Sequence, residues 1–301
     1  MRSQVRRKSV LVTGCSPGGI GHALCLEFHK KGLHVIATAR NLSLLSDLAE
    51  MGMSTLQLDV TDPVSIAACH KEAGVITDGK LDILVNNAGR THTHPATDLS
   101  IPEVRQTFET NVFGLMAMCK MFVDQLIAAK GLIINIASLA AVTPYVFGSA
   151  YCASKAAVAS YSRCLRLELR PFEVRVMVCM TGTVRSQIAQ NSHRELPSGS
   201  LYMCVKDLFD RRQSYSQDNG TMDTGAYART LVEKALTREV YLILRSWMGR
   251  PDWWWFGGMS TKVWITLYLG EWFADTICWK SFGMDKLAKI LATAEKDKKR
   301  R

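Results

Sequence analysis

Tyr151 and Lys155 stand four residues apart in Tyr151-Cys152-Ala153-Ser154-Lys155, and Ser138 closes the apolar run Ile133-Ile134-Asn135-Ile136-Ala137 ahead of them. Those three side chains suffice for proton chemistry on an alcohol. A tyrosine hydroxyl titrates near ~10, so it is a poor base at neutral pH unless a neighbouring cation stabilises the phenolate, and Lys155 supplies that cation. Four residues on a helix return a side chain to the same face, so Tyr151 and Lys155 point into one cleft while Ser138 arrives from the end of a strand. Tyr-x-x-x-Lys also occurs on ordinary amphipathic helices, so the pair takes its meaning from the elements that position it.

Those elements alternate. A strand over 9–13 runs into Gly14-Cys15-Ser16-Pro17-Gly18-Gly19-Ile20-Gly21, and an apolar-periodic helix follows through Leu24 and Phe28. Glycines let a backbone approach a pyrophosphate, and the helix N-terminus offers it free N–H groups and the positive end of a dipole. A second strand over 34–39 ends at Arg40, where a carboxylate for ribose hydroxyls is more usual; an arginine there suits a 2′-phosphate and favours NADP(H). A third strand over 55–60 puts Asp59 where it can bond an adenine amino group, and a fourth over 81–85 is followed by Asn86-Asn87-Ala88-Gly89. Apolar strands separated by helical stretches over 64–76 and 104–126 predict an α/β fold: one Rossmann-type, doubly wound parallel sheet covered on both faces. Ligands then collect at the carboxyl ends of the strands, where Gly14, Asp59, Asn86, Ser138 and Thr181 all fall.

The glycine turn, the Asn-Asn-Ala-Gly segment, Asn111 in Glu109-Thr110-Asn111-Val112, and the Ser, Tyr and Lys, present in that order, resemble the short-chain dehydrogenase/reductase family over residues 8 to about 245. The resemblance implies hydride transfer at a nicotinamide. It makes Tyr151 the general acid/base, Lys155 the group that lowers its pKa and holds the nicotinamide ribose, Ser138 the orienter of the substrate oxygen, and Asn111 the holder of a relay water. The cofactor contacts expected with it are Gly14, Ser16, Gly19, Ile20, Arg40, Asp59, Asn87, Tyr151, Lys155, Val184 and Ser186, with NADP(H) as cofactor. Two departures stand out. The glycine turn is one residue longer than the commonest spacing, as in a lipid-handling branch resembling acyldihydroxyacetone phosphate reductases and steroid or retinol dehydrogenases. The usual Pro-Gly after the sixth strand reads Thr181-Gly182.

Residues 186–220 turn polar and are expected to form a lid over the substrate pocket; their Arg194, Lys206, Arg211 and Arg212, with Arg185 just before, either meet a phosphate or face water. A helix over 226–236 and a strand over 240–244 are expected to complete the catalytic domain at about residue 245. The remainder, 246–301, is a separate Trp-rich extension: all seven tryptophans lie between Trp247 and Trp279. No eighteen-residue uncharged run occurs there, so the open readings are an interfacial anchor, a greasy pocket wall or a contact between copies.

The net charge of +10 is concentrated at the ends, four positive charges in the first eight residues and a net four in residues 285–301. Basic runs without interleaved aromatics argue against nucleic-acid binding and for solvated tails or attraction to an anionic membrane surface. The nine cysteines include no Cys-x-x-Cys pair and sit mostly in apolar runs, which predicts free thiols, a reducing compartment and no zinc site. The start leads straight into the glycine turn rather than a cleavable signal region, so an intracellular protein is expected, with the basic tail pointing to the cytoplasmic face of the endoplasmic reticulum or a lipid droplet. His92-Thr93-His94 shows no third ligand nearby, and no metal is expected. The functional expectation is an NADP(H)-dependent enzyme that interconverts a ketone and a secondary alcohol on a lipophilic substrate. That substrate is either an acyl-glycerone phosphate or a terpenoid, polyketide or sterol of a tailoring pathway. A catalytically silent NADP-sensing protein on the same fold is the alternative.

Overall fold

The computed structural model describes residues 6–186, 194–237 and 251–300. Seven parallel strands form one sheet: β1 (Ser9–Val12), β2 (His34–Ala39), β3 (Ser54–Gln57), β4 (Ile83–Asn86), β5 (Leu132–Ile136), β6 (Arg175–Thr181) and β7 (Trp253–Phe256), in the order β3-β2-β1-β4-β5-β6-β7. The order reverses between β1 and β4, which opens a crevice at their carboxyl ends. The helices are α1 (Ile20–Lys30), α2 (Ser46–Glu50), α3 (Pro63–Thr77), α4 (Ile101–Phe108), α5 (Gly114–Ala129) and α6 (Ser149–Leu169). After β6 come α7 (Lys206–Asp218), α8 (Thr224–Leu236), α9 (Ser260–Thr266), α10 (Glu271–Ser281) and α11 (Met284–Arg300).

Strand residues alternate between two cores. Val10 and Val12 of β1 face Leu24 and Phe28 of α1 and Tyr227 and Leu231 of α8, whereas Leu11 faces Ile66 of α3, Phe122 of α5 and Val158 of α6. A strand buried on both faces therefore reads as an unbroken apolar run. Each large apolar side chain taken fully out of water contributes about 1.5–3 kcal/mol, so the two layers jointly hold the sheet rigid beneath the crevice. The helix entries are written locally: Asp62 accepts from Val64 N and Ser65 N ahead of Pro63 to start α3, and Asp223 accepts from Ala226 N to start α8. The run Ile101–Ala129 is the one helical run among the described residues long and apolar enough to cross a membrane, yet its Leu115, Met118, Phe122 and Leu126 are buried in the core.

Two expectations change here. The strand expected at 240–244 lies outside the described residues, and the strand paired to β6 is Trp253–Phe256, with Val178 opposite Trp253 and Thr181 opposite Phe256. Part of the supposed extension thus belongs to the sheet. Trp254 is 6% exposed and stacks with Phe256 at 5.0 Å and against Tyr227 at 5.4 Å, while Trp253 and Trp255 pack on the opposite core. The chain after β7 then crosses so close to β6 that a Cβ on Gly182 would lie 2.1 Å from Gly258 O, which accounts for the glycine in Thr181-Gly182. Of the segment expected as a loose lid, residues 187–193 lie outside the described residues and the rest is packed: Phe209 of α7 is fully buried with Phe147, Leu196 and Met284 in a third, smaller core. All nine cysteines are free thiols.

Candidate active site

The glycine turn is shaped by contacts to the loop after β4. Gly14 adopts φ +73°, and a Cβ there would sit 3.0 Å from Ala88 Cα. Asn87 Nδ2 donates to Thr13 O at 2.8 Å and to Gly14 O at 3.0 Å, so this side chain clamps the turn to the β4 loop. Asn86 points the other way. Its Nδ2 donates to Asn135 Oδ1 at 2.9 Å inside the core, and Asn135 donates on to Ser162, so Asn86 does not face the crevice although it ends β4.

A cleft of about 890 Å³ runs along the strand ends. One end is lined by Gly14, Ser16, Gly19, Ile20, Arg40, Asp59 and Asn87, the middle by Ser138, Tyr151 and Lys155, and the floor after β6 by Thr181, Val184 and Ser186. The crevice thus gathers every expected cofactor contact. Arg40 is exposed at the tip of β2 with no carboxylate on it among the described residues. One oxygen of Asp59 is occupied by the Thr61 amide and hydroxyl at 2.9 and 2.8 Å.

Ser138 leaves β5 in extended conformation and caps a short turn, its Oγ accepting from Ala140 N at 3.1 Å. Tyr151 and Lys155 occupy successive turns of α6, and Lys155 Nζ donates to Ile136 O at 2.8 Å while lying 5.9 Å from the Tyr151 ring centre. Burial lowers the Lys155 ammonium to about 8. Burial raises the Tyr151 phenol above its ordinary range, opposed first by its hydrogen bond with Ser138 and also by the charge of Arg212. In the free protein Tyr151 is therefore held as a proton donor.

Asn111 stands one layer behind the cleft, in a turn of π-helix, Glu109–Phe113, between α4 and α5. Its Nδ2 donates to Arg90 O and to Ser154 Oγ, both at 3.0 Å, and its Oδ1 accepts from Arg90 N at 2.8 Å. The carboxamide thus ties the 89–90 loop to the helix that carries Tyr151. A Cβ on Gly89 would come within 3.3 Å of Asn111 Oδ1 and 3.7 Å of Lys155 Nζ, so the glycine of Asn-Asn-Ala-Gly makes room where the two meet.

Fold proximity brings together what spacing did not. Glu103 joins His92 and His94 to give three potential ligand groups within 4.8 Å, so a third ligand is nearby after all. Arg194 forms a short ion pair with that Glu103, and its charge, after burial, helps lower His92 to about 4. A cation already occupies the carboxylate, and the cluster fastens the segment before α7 to α4. The substrate end of the cleft also holds Tyr145, Gly148, Arg212, Gln213, Ser216 and Gln217. Tyr145 carries no sequence signal, and Arg212 is one of five cations that nothing in the sequence separates.

The model of the family described as short chain dehydrogenase matches residues 8–197. The chain belongs to the short-chain dehydrogenase/reductase family. Short-chain dehydrogenase srdE of Neurospora crassa is 38% identical over 296 residues, 97% of this chain and 97% of its own length. The NADPH-dependent 1-acyldihydroxyacetone phosphate reductase of Saccharomyces cerevisiae is 35% identical over 300 residues, again 97% of each. Among solved structures, a short-chain dehydrogenase from Streptomyces avermitilis superposes with a TM-score of 0.74 at 26% identity, over 94% of this chain and 99% of that one. As a member of this family the protein is an oxidoreductase.

Proposed function

We propose that this short-chain dehydrogenase/reductase uses NADPH to reduce a ketone on a lipophilic molecule to the secondary alcohol. The observation that carries the reading is the convergence of Ser138, Tyr151 and Lys155 on the wall of a cleft whose far end presents Arg40, with no carboxylate on it among the described residues. The residues fit the cofactor: the Gly14 turn leaves room for a pyrophosphate at the start of α1, Asp59 stands at the adenine end, and Arg40 offers the cation a 2′-phosphate needs. NADPH relatives and the Arg40 position agree. When bound, NADPH supplies the hydride.

The chain supplies the rest. Ser138 Oγ orients the carbonyl oxygen, and Tyr151 donates its phenolic proton to that oxygen as negative charge develops there. Lys155, held by Ile136 O, stabilises the phenolate that results. Asn111 fixes the loop and helix between which these groups work. Burial keeps the Tyr151 phenol protonated in the free protein, the form that the first step of a reduction consumes. The substrate is an acyl-glycerone phosphate, by analogy with the 1-acyldihydroxyacetone phosphate reductases, or the terpenoid, polyketide or sterol that the sequence resemblance implies. Trp272 at 69% and Trp279 at 50% exposure, together with the basic last turn of α11, support work at an anionic lipid surface, such as the cytoplasmic face of the endoplasmic reticulum or a lipid droplet.

The test is NADPH oxidation by the purified chain against a panel of long-chain and polycyclic ketones, with NADP and the matching alcohols as the reverse panel. Turnover of a ketone, faster with NADPH than NADH, is the expected result. Tight NADPH binding with no turnover on either panel identifies a silent binding protein instead.

A further inference from the structure

Five cations accompany the segment over the substrate end, and the fold sorts them. Arg185 and Arg211 are exposed, Lys206 is exposed and pairs with Asp210 at 2.6 Å, and Arg194 pairs with Glu103. Arg212 is different: it is 8% exposed, lines the cleft and has no carboxylate among the described residues. Its Nε donates to Val146 O at 3.1 Å, and its guanidinium lies 4.9 Å from the Tyr145 ring centre and 5.3 Å from that of Phe282. Two aromatic rings and one carbonyl thus hold the guanidinium, and the Nε bond to Val146 is the one hydrogen bond of this side chain among the described residues. A buried guanidinium without a counter-ion is costly, and aromatic faces offset only part of that cost.

A second feature points at the same spot. Gly148 precedes α6, and no side chain caps the first turn of that 21-residue helix. A Cβ on Gly148 would lie 3.4 Å from Arg212 Nη2, so the guanidinium edge stands over the helix N-terminus. The free amides and dipole there attract negative charge, and Tyr151 occupies the same first turn.

We propose that Arg212 and the uncapped start of α6 form an anion subsite of the substrate pocket, which takes a phosphate or carboxylate borne by the ketone a few bonds from its carbonyl. This deepens the ketone-reductase reading and rests on it for the identity of the reacting group. The lipophilic remainder of the substrate then runs away from Tyr145 and Phe282. A bidentate guanidinium contact supplies orientation as well as affinity, setting the carbonyl between Ser138 and Tyr151.

Calorimetric titration of the full chain, saturated with NADP, with hexylphosphonate and with hexanol reads the subsite without catalysis. Wild type should bind the phosphonate roughly 10- to 100-fold more tightly than the alcohol, the range expected of a charge-assisted contact. Arg212→Met should bring the two affinities together, and Arg212→Lys should keep part of the difference. Equal binding of phosphonate and hexanol by wild type overturns the subsite, even if Arg212→Met proves unfolded. A kinetic arm compares 1-palmitoyl-dihydroxyacetone phosphate with its dephosphorylated form, and a long-chain γ-keto acid with its methyl ester. The ratio of kcat/KM within each pair is the readout, because losing Arg212 also removes charge that lowers the Tyr151 phenol and so slows both members. A preference confined to the first pair assigns the site to phosphate, and one confined to the second to carboxylate. A ratio of one or below in wild type for both pairs overturns the proposal while leaving the reductase reading intact. Phosphonate binding with no ketone turnover does the opposite.

Discussion

Around Gly14, Arg40 and Asp59 each group facing the cleft comes from a strand end or the turn that follows it, whereas around Arg212 the wall is assembled from three distant stretches. Residues 145–148, α7 and the end of α10 meet there, with Phe282 6.1 Å from Tyr145 and 5.1 Å from Tyr215 between ring centres. The cofactor end is positioned by parallel strands buried on both faces and needs few side-chain contacts beyond them. The substrate end rests on a small satellite core and on residues 278–284. It follows that the first is robust to changes far along the chain and the second is not. The tryptophans divide along the same line: Trp254 is part of the sheet's core, while Trp272 and Trp279 face outward from α10.

The harshest way to probe this contrast is truncation at two points. Ending the chain at Arg245 removes β7 and with it Trp254, a loss comparable to the roughly 3–5 kcal/mol of a buried Trp→Ala change with a strand's hydrogen bonds besides, so no cooperative melting transition should remain. Ending it at Gly270 keeps β7 and α9. That form should melt cooperatively and hold NADPH within a few-fold of wild type, yet lose ketone turnover as Phe282 leaves Arg212 and Tyr145. Equal damage to both functions by the shorter cut would break the comparison.

Tyr151→Phe, at the junction of the two ends, should lower kcat by roughly 10²–10⁴-fold while leaving NADPH binding and the melting temperature unchanged, since only the transferable proton is lost. Wild-type turnover in that variant, followed by NADPH absorbance, would exclude Tyr151 as the acid. At the cofactor end alone, Arg40→Asp should reverse the ratio of kcat/KM for NADPH over NADH without moving the KM for ketone. An unchanged ratio would show that another group reads the 2′-phosphate.

The Lys155 ammonium sets a pH window. Its pKa is lowered by burial from 10.5 to about 8, so kcat/KM for reduction should fall above about pH 8 as the free enzyme loses that charge. Stability should move the other way between about 8 and 10.5, because the unfolded chain keeps a proton the folded one has released. A profile flat to pH 10 would mean that Lys155 acts without its charge.

The smallest effect on the folded chain is expected from Trp272→Ser with Trp279→Ser. Exposed positions of this kind usually change stability by within about 0.5 kcal/mol, and neither residue touches the cofactor end. Flotation with vesicles containing anionic lipid should nevertheless drop sharply, and 0.5 M salt should weaken wild-type binding only in part, as ring burial is insensitive to ionic strength. Wild-type protein that stays at the bottom of the gradient would reduce these tryptophans to surface residues or a contact between copies.

The fold class, the strand-end positions of the cofactor contacts and the Ser138, Tyr151 and Lys155 set were all legible in the chain. They depend on local rules: two-sided burial makes apolar runs, glycine turns sit between strand and helix, and four residues make a helical turn. Tertiary structure alone decided the rest. It turned Asn86 into the core and Asn87 into a clamp, set Asn111 behind the cleft, and gave β7 to Trp253–Phe256, which composition had assigned to an extension. It also separated Arg212 from four other cations of like sequence context. Lys206 meets Asp210 within one helical turn, but which arginine is enclosed by Tyr145 and Phe282 depends on contacts across 66 and more residues, as in the Arg212 to Val146 hydrogen bond, and no local pattern encodes a contact at that range.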